Sequence, residues 1–75
     1  MDKLSKIKMN KSYLLNGFTN SLPLKLKRRL LDLGFTRGEK VVFCNKSLLG
    51  KTYLVQIRGV MLSLRDQIVK GLILE

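Results

Sequence analysis

The chain has no histidine, and its one cysteine and five acidic residues leave few groups for catalysis or metal binding. Histidine is the commonest acid–base catalyst and a common metal ligand. A structural zinc site needs four Cys or His side chains, and this sequence offers Cys44 alone. The five acidic residues are Asp2, Asp32, Glu39, Asp66 and Glu75. They are scattered in sequence, so they suggest neither a catalytic acid–base pair nor an acid-rich loop that would bind a hard cation. These absences predict a protein that is not an enzyme and has no metal-ligand set.

Long apolar segments and disulfide-forming cysteines are absent as well. The longest apolar run, from Val41 to Cys44, has four residues, far short of the ~20 that a membrane-spanning helix needs. No apolar signal-peptide stretch follows Met1. A lone cysteine excludes the internal disulfides that small secreted domains usually need, and we expect Cys44 to act as a small buried hydrophobe. We therefore expect a cytoplasmic protein with no direct membrane insertion.

What the sequence has in excess is positive charge. The 75 residues carry 15 Lys and Arg against five acids, which gives a formal net charge of +10. Such a field favours an anionic partner: nucleic acid, an inner-leaflet membrane surface or an acidic protein face. The alternative is that the lysines maintain solubility. At 45% hydrophobic residues the chain is expected to fold, as one domain over residues 1–75.

A single long helix is predicted at about 22–33. Ser21 is placed to cap it, Pro23 lies where a first-turn proline is tolerated, and Gly34 can end it in the left-handed conformation. One apolar stripe falls in an arc of roughly 80° and consists of Leu22, Leu26, Leu30 and Leu33. This stripe predicts the face that covers the rest of the domain.

The remaining pattern has a period of two and predicts short strands at 12–16, 39–45, 52–58, 60–64 and 72–74. Asn16-Gly17 is expected to turn the chain after the first strand. Ser63 and Asp66 have the spacing of a capping box, which predicts a helical turn at 64–70. The side chains expected to face inward from the third and fourth strands are Tyr53, Val55, Ile57, Val60, Leu62 and Leu64. The prediction is a mainly β fold, a small closed or half-closed barrel with one α-helix.

Two sequence blocks resemble a known family. The first runs from Arg29 to Gly38 and reads RLLDLGFTRG, and the second joins Arg58-Gly59 to Leu62-Ser63-Leu64-Arg65. Together they are similar to the FeoA family of ferrous-iron-transport accessory proteins, and the resemblance covers nearly the whole chain. Three positions depart from the family pattern: Ser63, Val69 and Gly71.

The resemblance implies an SH3-like five-stranded barrel in the bacterial cytoplasm. The implied function is that of a non-catalytic accessory or regulatory protein of ferrous iron uptake. Its partner would be the cytoplasmic, GTP-hydrolysing part of a membrane ferrous-iron permease, which would recruit it to the inner face of the membrane. The family is also linked to metal, so association with Fe²⁺ is implied without a ligand set in this sequence.

The residues themselves also favour docking on a partner. Leu24 and Leu31 lie nearly opposite the covering stripe, so this row is expected to be free for a partner, with Lys25, Arg28 and Arg29 steering it to an acidic surface. The alternatives are that both leucine rows are buried, and that Arg29 has a structural role. A second candidate surface is the 46–51 loop with Leu48 and Leu49; its alternative is a loop folded back on the core.

Two other functions remain open alongside the accessory function. A basic small barrel can bind nucleic acid, but such proteins interleave aromatic with basic residues, and Phe43 and Tyr53 are expected in the core. The sequence therefore disfavours nucleic acid without excluding it. The other alternative is a metal-sensing regulatory module. Spare apolar rows also predict weak self-association into a homo-oligomer.

Overall fold

The computed structural model describes residues 7–75, which form five strands and two helices. In chain order these are β1 (Ser12–Phe18), α1 (Leu24–Asp32), β2 (Lys40–Lys46), β3 (Thr52–Ile57), β4 (Val60–Arg65), α2 (Asp66–Lys70) and β5 (Leu72–Leu74). The mainly β prediction is confirmed, and every predicted strand is present within two residues of its predicted ends. Residues 1–6, including Asp2, lie outside the described part of the chain.

The strands form one antiparallel sheet in the order β4-β3-β2-β1-β5. The first half of β1 pairs with β2, and its second half pairs with β5. The sheet curls because β1 changes partner at a bulge between Leu15 and Gly17, and bulges bend a strand. Asn16-Gly17 is therefore part of the strand, and the predicted turn there is wrong.

Each strand contributes to one interior, which is what a curled sheet requires. The alternation predicted for β3 is confirmed, because Tyr53, Val55 and Ile57 are buried. Val41 and Phe43 of β2 are buried as well. The Phe43 ring stands edge-on between the rings of Tyr13 and Tyr53, with centroids 5.9 Å away on each side. Edge-to-face pairs of this kind stabilise beyond their buried area. The remaining buried side chains are Leu15, Leu22, Leu30, Phe35, Leu64, Val69 and Leu72.

Helix α1 begins two residues later than predicted. Leu22 precedes a proline, which disfavours the helical conformation, and Pro23 is itself extended, with φ −60° and ψ 149°. No side chain within residues 7–75 caps the helix. Ser21 bonds instead to Thr19, with 2.6 Å between their hydroxyl oxygens. The prediction that Ser21 caps the helix is therefore wrong.

The end of α1 is where the sequence predicted it. Gly34 has φ +109°, the left-handed region that favours glycine. Its N–H donates to Leu31 O at 3.1 Å, and the N–H of Phe35 donates to Leu30 O at 2.9 Å. These two bonds are those of a Schellman motif, and buried Leu30 and Phe35 supply its apolar contact.

A tight hairpin joins β3 to β4. Arg58 has φ +52° and Gly59 has φ +80°, so both central residues have the positive φ of a type I′ turn. Arg58 Nε lies 3.9 Å from Glu39 Oε2. The Arg58 chain also runs past Gly34, whose added Cβ would lie 3.0 Å from Arg58 Cδ. The hairpin thus contacts the end of α1.

Two predictions in the second half of the chain are wrong. Val60 was expected inside but is 51% exposed, because β4 is the outer strand of the sheet and Val60 lies at its end. Ser63 is still in β4, paired with Leu54, while α2 starts at Asp66 with Arg65 as its cap residue. The predicted Ser63–Asp66 capping box therefore does not form.

A close approach at Gly71 fixes where α1 lies. A Cβ on Gly71 would overlap Leu22 Cγ and lie 2.6 and 2.8 Å from the two Leu22 methyl carbons. Leu22 is 6% exposed and comes immediately before Pro23. Because glycine has no side chain, the entry to α1 can pack directly on the α2–β5 junction. This contact holds the buried face of α1 inward.

Candidate docking surface

The row of Leu24 and Leu31 is exposed on the outer face of α1. Leu24 is 64% exposed and Leu31 is 46% exposed. They are seven positions apart, so they lie about 10 Å apart along the helix and roughly 20° apart around it. The structure therefore contradicts the alternative in which both leucine rows are buried.

Basic side chains flank this row on both sides. Arg28 is exposed and lies roughly 40° around the helix from Leu24. Lys27 lies on the other side, next to Leu31, and is half-buried. The sequence interpretation did not include Lys27, although projecting every residue onto the helix would have placed it there. The docking face is defined here as Leu24, Leu31, Arg28 and Lys27.

Lys25 and Arg29, which were predicted to frame the row, lie farther round the helix. Both are exposed, but they lie roughly 100° and 140° from Leu24. Arg29 borders a cleft against β4 together with Leu33 and Ser63. Its place in the last turn also complements the helix dipole. Lys25 and Arg29 therefore lie on the shoulder of the helix, outside the docking face.

The covering stripe borders an apolar cleft on the opposite side of α1. Two adjoining hollows of about 520 and 320 Å³ lie between α1 and the β4–α2 segment, and they share Leu26 and Ile68. Leu30 and Leu33 line the smaller hollow; Leu30 is buried, whereas Leu33 is 43% exposed. The stripe thus covers the barrel over most of its length.

The second predicted surface, the loop after β2, is exposed and separate from α1. Leu48 is 104% exposed and Leu49 is 80% exposed, so the alternative of a folded-back core loop is wrong. The loop connects β2 to β3, whereas the docking face lies on the helix between β1 and β2. The structure therefore presents two separate exposed leucine pairs.

The described residues do not support a metal centre. Between residues 7 and 75 no three His, Cys, Asp or Glu side chains come together in a group that could hold a metal ion. Cys44 is half-buried, where a buried side chain was expected, and its Sγ lies 3.8 Å from Val42 O. Cys44 follows the alternation of β2, since it lies on the outer side with Val42 while Val41 and Phe43 face the core.

No helix in residues 7–75 is long and apolar enough to cross a bilayer.

Comparisons with known proteins agree on one family. The family model described as the FeoA domain matches residues 3–75. A solution structure of a FeoA protein from Chlorobium tepidum is 27% identical, with a TM-score of 0.85, and the match covers 97% of this chain and 68% of that one. A FeoA-like protein from Clostridium acetobutylicum is 25% identical, with a TM-score of 0.81, and the match covers 96% of this chain and 81% of that one.

A crystal structure of a FeoA protein from Stenotrophomonas maltophilia is also similar. It is 26% identical, with a TM-score of 0.81, and the match covers all of this chain and 91% of that one. That protein was crystallised with zinc and is described as an SH3-domain protein and a candidate activating factor for ferrous iron transport. The predicted SH3-like fold is thereby confirmed. A search of curated proteins finds no significant match.

Proposed function

Because this chain belongs to the FeoA family, we propose that it is a non-catalytic accessory protein of bacterial ferrous iron uptake. In this proposal it acts in the cytoplasm by docking on the GTP-hydrolysing part of a membrane ferrous-iron permease. The observation that carries the proposal is the docking face on α1, where Leu24 and Leu31 are exposed between two cations. Lys25 and Arg29 border this face on the shoulder of the helix, whereas the loop with Leu48 and Leu49 is a second candidate surface that the test below separates from it.

The docking face has the chemistry of a small interface centre. If a partner covers the exposed parts of Leu24 and Leu31, their burial contributes roughly 2–3 kcal/mol. That is more than tenfold in affinity, because each 1.4 kcal/mol is a factor of ten. Arg28 and Lys27 would raise the rate of encounter with an acidic partner surface more than the final affinity.

The distribution of aromatic side chains supports a protein partner over nucleic acid. Phe35, Phe43 and Tyr53 are buried, and Tyr13 and Phe18 are half-buried. Single-stranded nucleic acid binding relies on exposed rings that stack on bases. The charge of +10 would then give salt-sensitive, non-specific attraction. We expect weak retention of DNA or RNA that disappears as salt is raised.

The test is a binding titration of the purified cytoplasmic GTPase part with the chain and two variants, Leu24→Asp and Leu31→Asp. Each variant is expected to raise Kd about tenfold or more, while circular dichroism shows an unchanged fold. Leu48→Asp is the matched control, since it places the same charge on an exposed leucine of the other surface. Unchanged binding by both folded α1 variants would overturn the proposed face. Loss of binding in the Leu48→Asp control would show that the partner binds the 46–51 loop instead of α1.

Metal dependence separates this function from a metal-sensing module. The titration is repeated with a chelator and with added Fe²⁺, and equilibrium dialysis measures metal uptake by the isolated chain. We expect the same docking affinity with the chelator and with added Fe²⁺. We also expect the isolated chain to take up no stoichiometric, tightly bound Fe²⁺. Tight uptake at one ion per chain would favour the metal-sensing function instead.

A further inference from the structure

The hairpin tip between β2 and β3 is a hydrogen-bonded turn with two leucines at its apex. Ser47 organises it: its Oγ accepts the N–H of Lys51 at 3.2 Å and that of Thr52 at 3.1 Å. Its backbone O accepts the N–H of Gly50 at 2.9 Å, and its own N–H donates to Thr52 O at 2.9 Å. The four bonds fix the base of the turn. Leu48 and Leu49, between the bonded residues, are left pointing into solvent.

The residues around the tip are basic. Lys46 and Lys51 flank the leucine pair in sequence, and the 46–51 segment contains no acidic residue. Arg65 borders the cleft at the base of the hairpin together with Lys51. Asp66 opposes these cations, since it lines the same cleft and its N–H donates to Lys51 O at 2.9 Å. Three cations against one acid leave this end of the domain positive.

We propose that this tip inserts Leu48 and Leu49 shallowly into an anionic bilayer surface while Lys46 and Lys51 contact the lipid phosphates. Peripheral proteins bind anionic membrane surfaces by burying apolar side chains at the headgroup boundary while nearby cations attract the lipid phosphates. Lysine stems can lie along apolar surface while the ammonium groups stay in the headgroup layer. The absence of a spanning segment led to the expectation of no membrane insertion, and this shallow contact departs from it.

The geometry favours lipid over a protein partner at this tip. Leu48 is as exposed as a free side chain, and its sequence neighbours within the turn are small, namely Ser47 and Gly50, apart from Leu49. A protein hot spot is typically framed by other contacts that exclude water, and the projecting tip offers no such frame. A bilayer requires no such surrounding contacts, because the lipids themselves surround an inserted side chain and exclude water from it.

Membrane contact goes beyond the proposed docking on a permease, since the tip and the docking face lie on different elements. The two surfaces share no residue. A domain held at the bilayer by its tip would meet a membrane-bound partner at a raised effective concentration. The two proposals stand or fall on separate residues, so their failures are distinguishable.

Tryptophan fluorescence tests the insertion, because the chain contains no tryptophan of its own. Leu49→Trp places one reporter at the tip, and Leu24→Trp places a matched one on α1. With phosphatidylglycerol–phosphatidylcholine vesicles, the reporter at 49 is expected to shift its emission to the blue and to be quenched by brominated lipid. The reporter at 24 is expected to do neither. An unshifted reporter at 49, or an equal shift at both positions, would overturn the proposal.

Vesicle co-sedimentation then separates insertion from general attraction of a basic protein. The double variant Leu48→Ser/Leu49→Ser is expected to bind phosphatidylglycerol-containing vesicles about tenfold more weakly, and Lys46→Gln/Lys51→Gln likewise. Vesicles of phosphatidylcholine alone are expected to retain little of any form. Undiminished binding by the serine variant would refute the insertion. Loss of permease binding by that variant in the absence of lipid would make the tip a protein contact and refute it as well.

Discussion

The close approach of Gly71 and Leu22 gives the strongest stability prediction. Gly71→Ala adds a methyl group that would overlap Leu22 Cγ and lie within 2.8 Å of both its methyl carbons. Leu22 is buried but borders the larger cleft beside α1, so its side chain has to shift toward that cleft, and overpacking of this kind costs about 1–3 kcal/mol. In a domain of this size that lowers Tm by about 4–8 °C for each kcal/mol. Urea denaturation and thermal melting measure both quantities.

A double-mutant cycle shows whether this contact is the cause. Leu22→Ala removes the three carbons that the new methyl group would meet and is expected to cost about 2–5 kcal/mol by itself. Adding Gly71→Ala to it should then cost little more, because the overlap no longer exists. The two costs therefore fail to add, with a coupling of about 1–3 kcal/mol. Strictly additive costs would refute the packing argument for Gly71.

Three further predictions concern the turns and the core. Gly34→Ala should lower the free energy of unfolding by about 1–3 kcal/mol, because φ is +109° and Arg58 Cδ lies 3.0 Å from the new Cβ. A urea unfolding curve identical to that of the original protein would contradict this. Arg58→Asn should leave Tm within a few degrees, whereas Arg58→Val should lower Tm, because a β-branched residue fits φ +52° poorly. Equal Tm values for the two variants would contradict this prediction. Phe43→Ala should cost about 3–5 kcal/mol, measured by chemical denaturation; a loss below 1 kcal/mol would show that the ring cluster is not central.

The sequence predicted the interior of the sheet well because side-chain period and burial coincide there. In β3 the apolar residues Tyr53, Val55 and Ile57 alternate with others, and a strand with one covered face has that period. The end of α1 at Gly34 was equally predictable, since a glycine after an apolar helical stripe is a common helix stop. These signals are local, so they need no knowledge of the partner strands.

The errors come from features that local patterns do not contain. Val60 keeps the period of its strand but lies at the end of an edge strand, so its exposure depends on the sheet order. The helix start depends on Pro23, whose effect on Leu22 outweighed the capping preference of Ser21. Gly17 looked like a turn, yet it lies in a bulge that lets β1 serve two partner strands.

The candidate site was predictable in part. The helical period placed Leu24 and Leu31 away from the covering stripe, and their exposure is now seen. The same period places Lys27 beside Leu31 and moves Lys25 and Arg29 to the shoulder. The loop with Leu48 and Leu49 was a predicted surface, but only the structure could decide against the alternative of a loop folded back on the core. Which molecule binds either surface stays a prediction.

Amide chemical-shift mapping tests the central claim most directly. The isotopically labelled chain is titrated with the unlabelled cytoplasmic GTPase part of the permease, without lipid present. We predict that the largest shifts and losses of intensity fall on the exposed side of α1, centred on Leu24, Arg28 and Leu31. The tip residues Leu48 and Leu49 should stay unperturbed. Perturbations confined to the β3–β4 hairpin or to the tip, with α1 unchanged, would contradict the account.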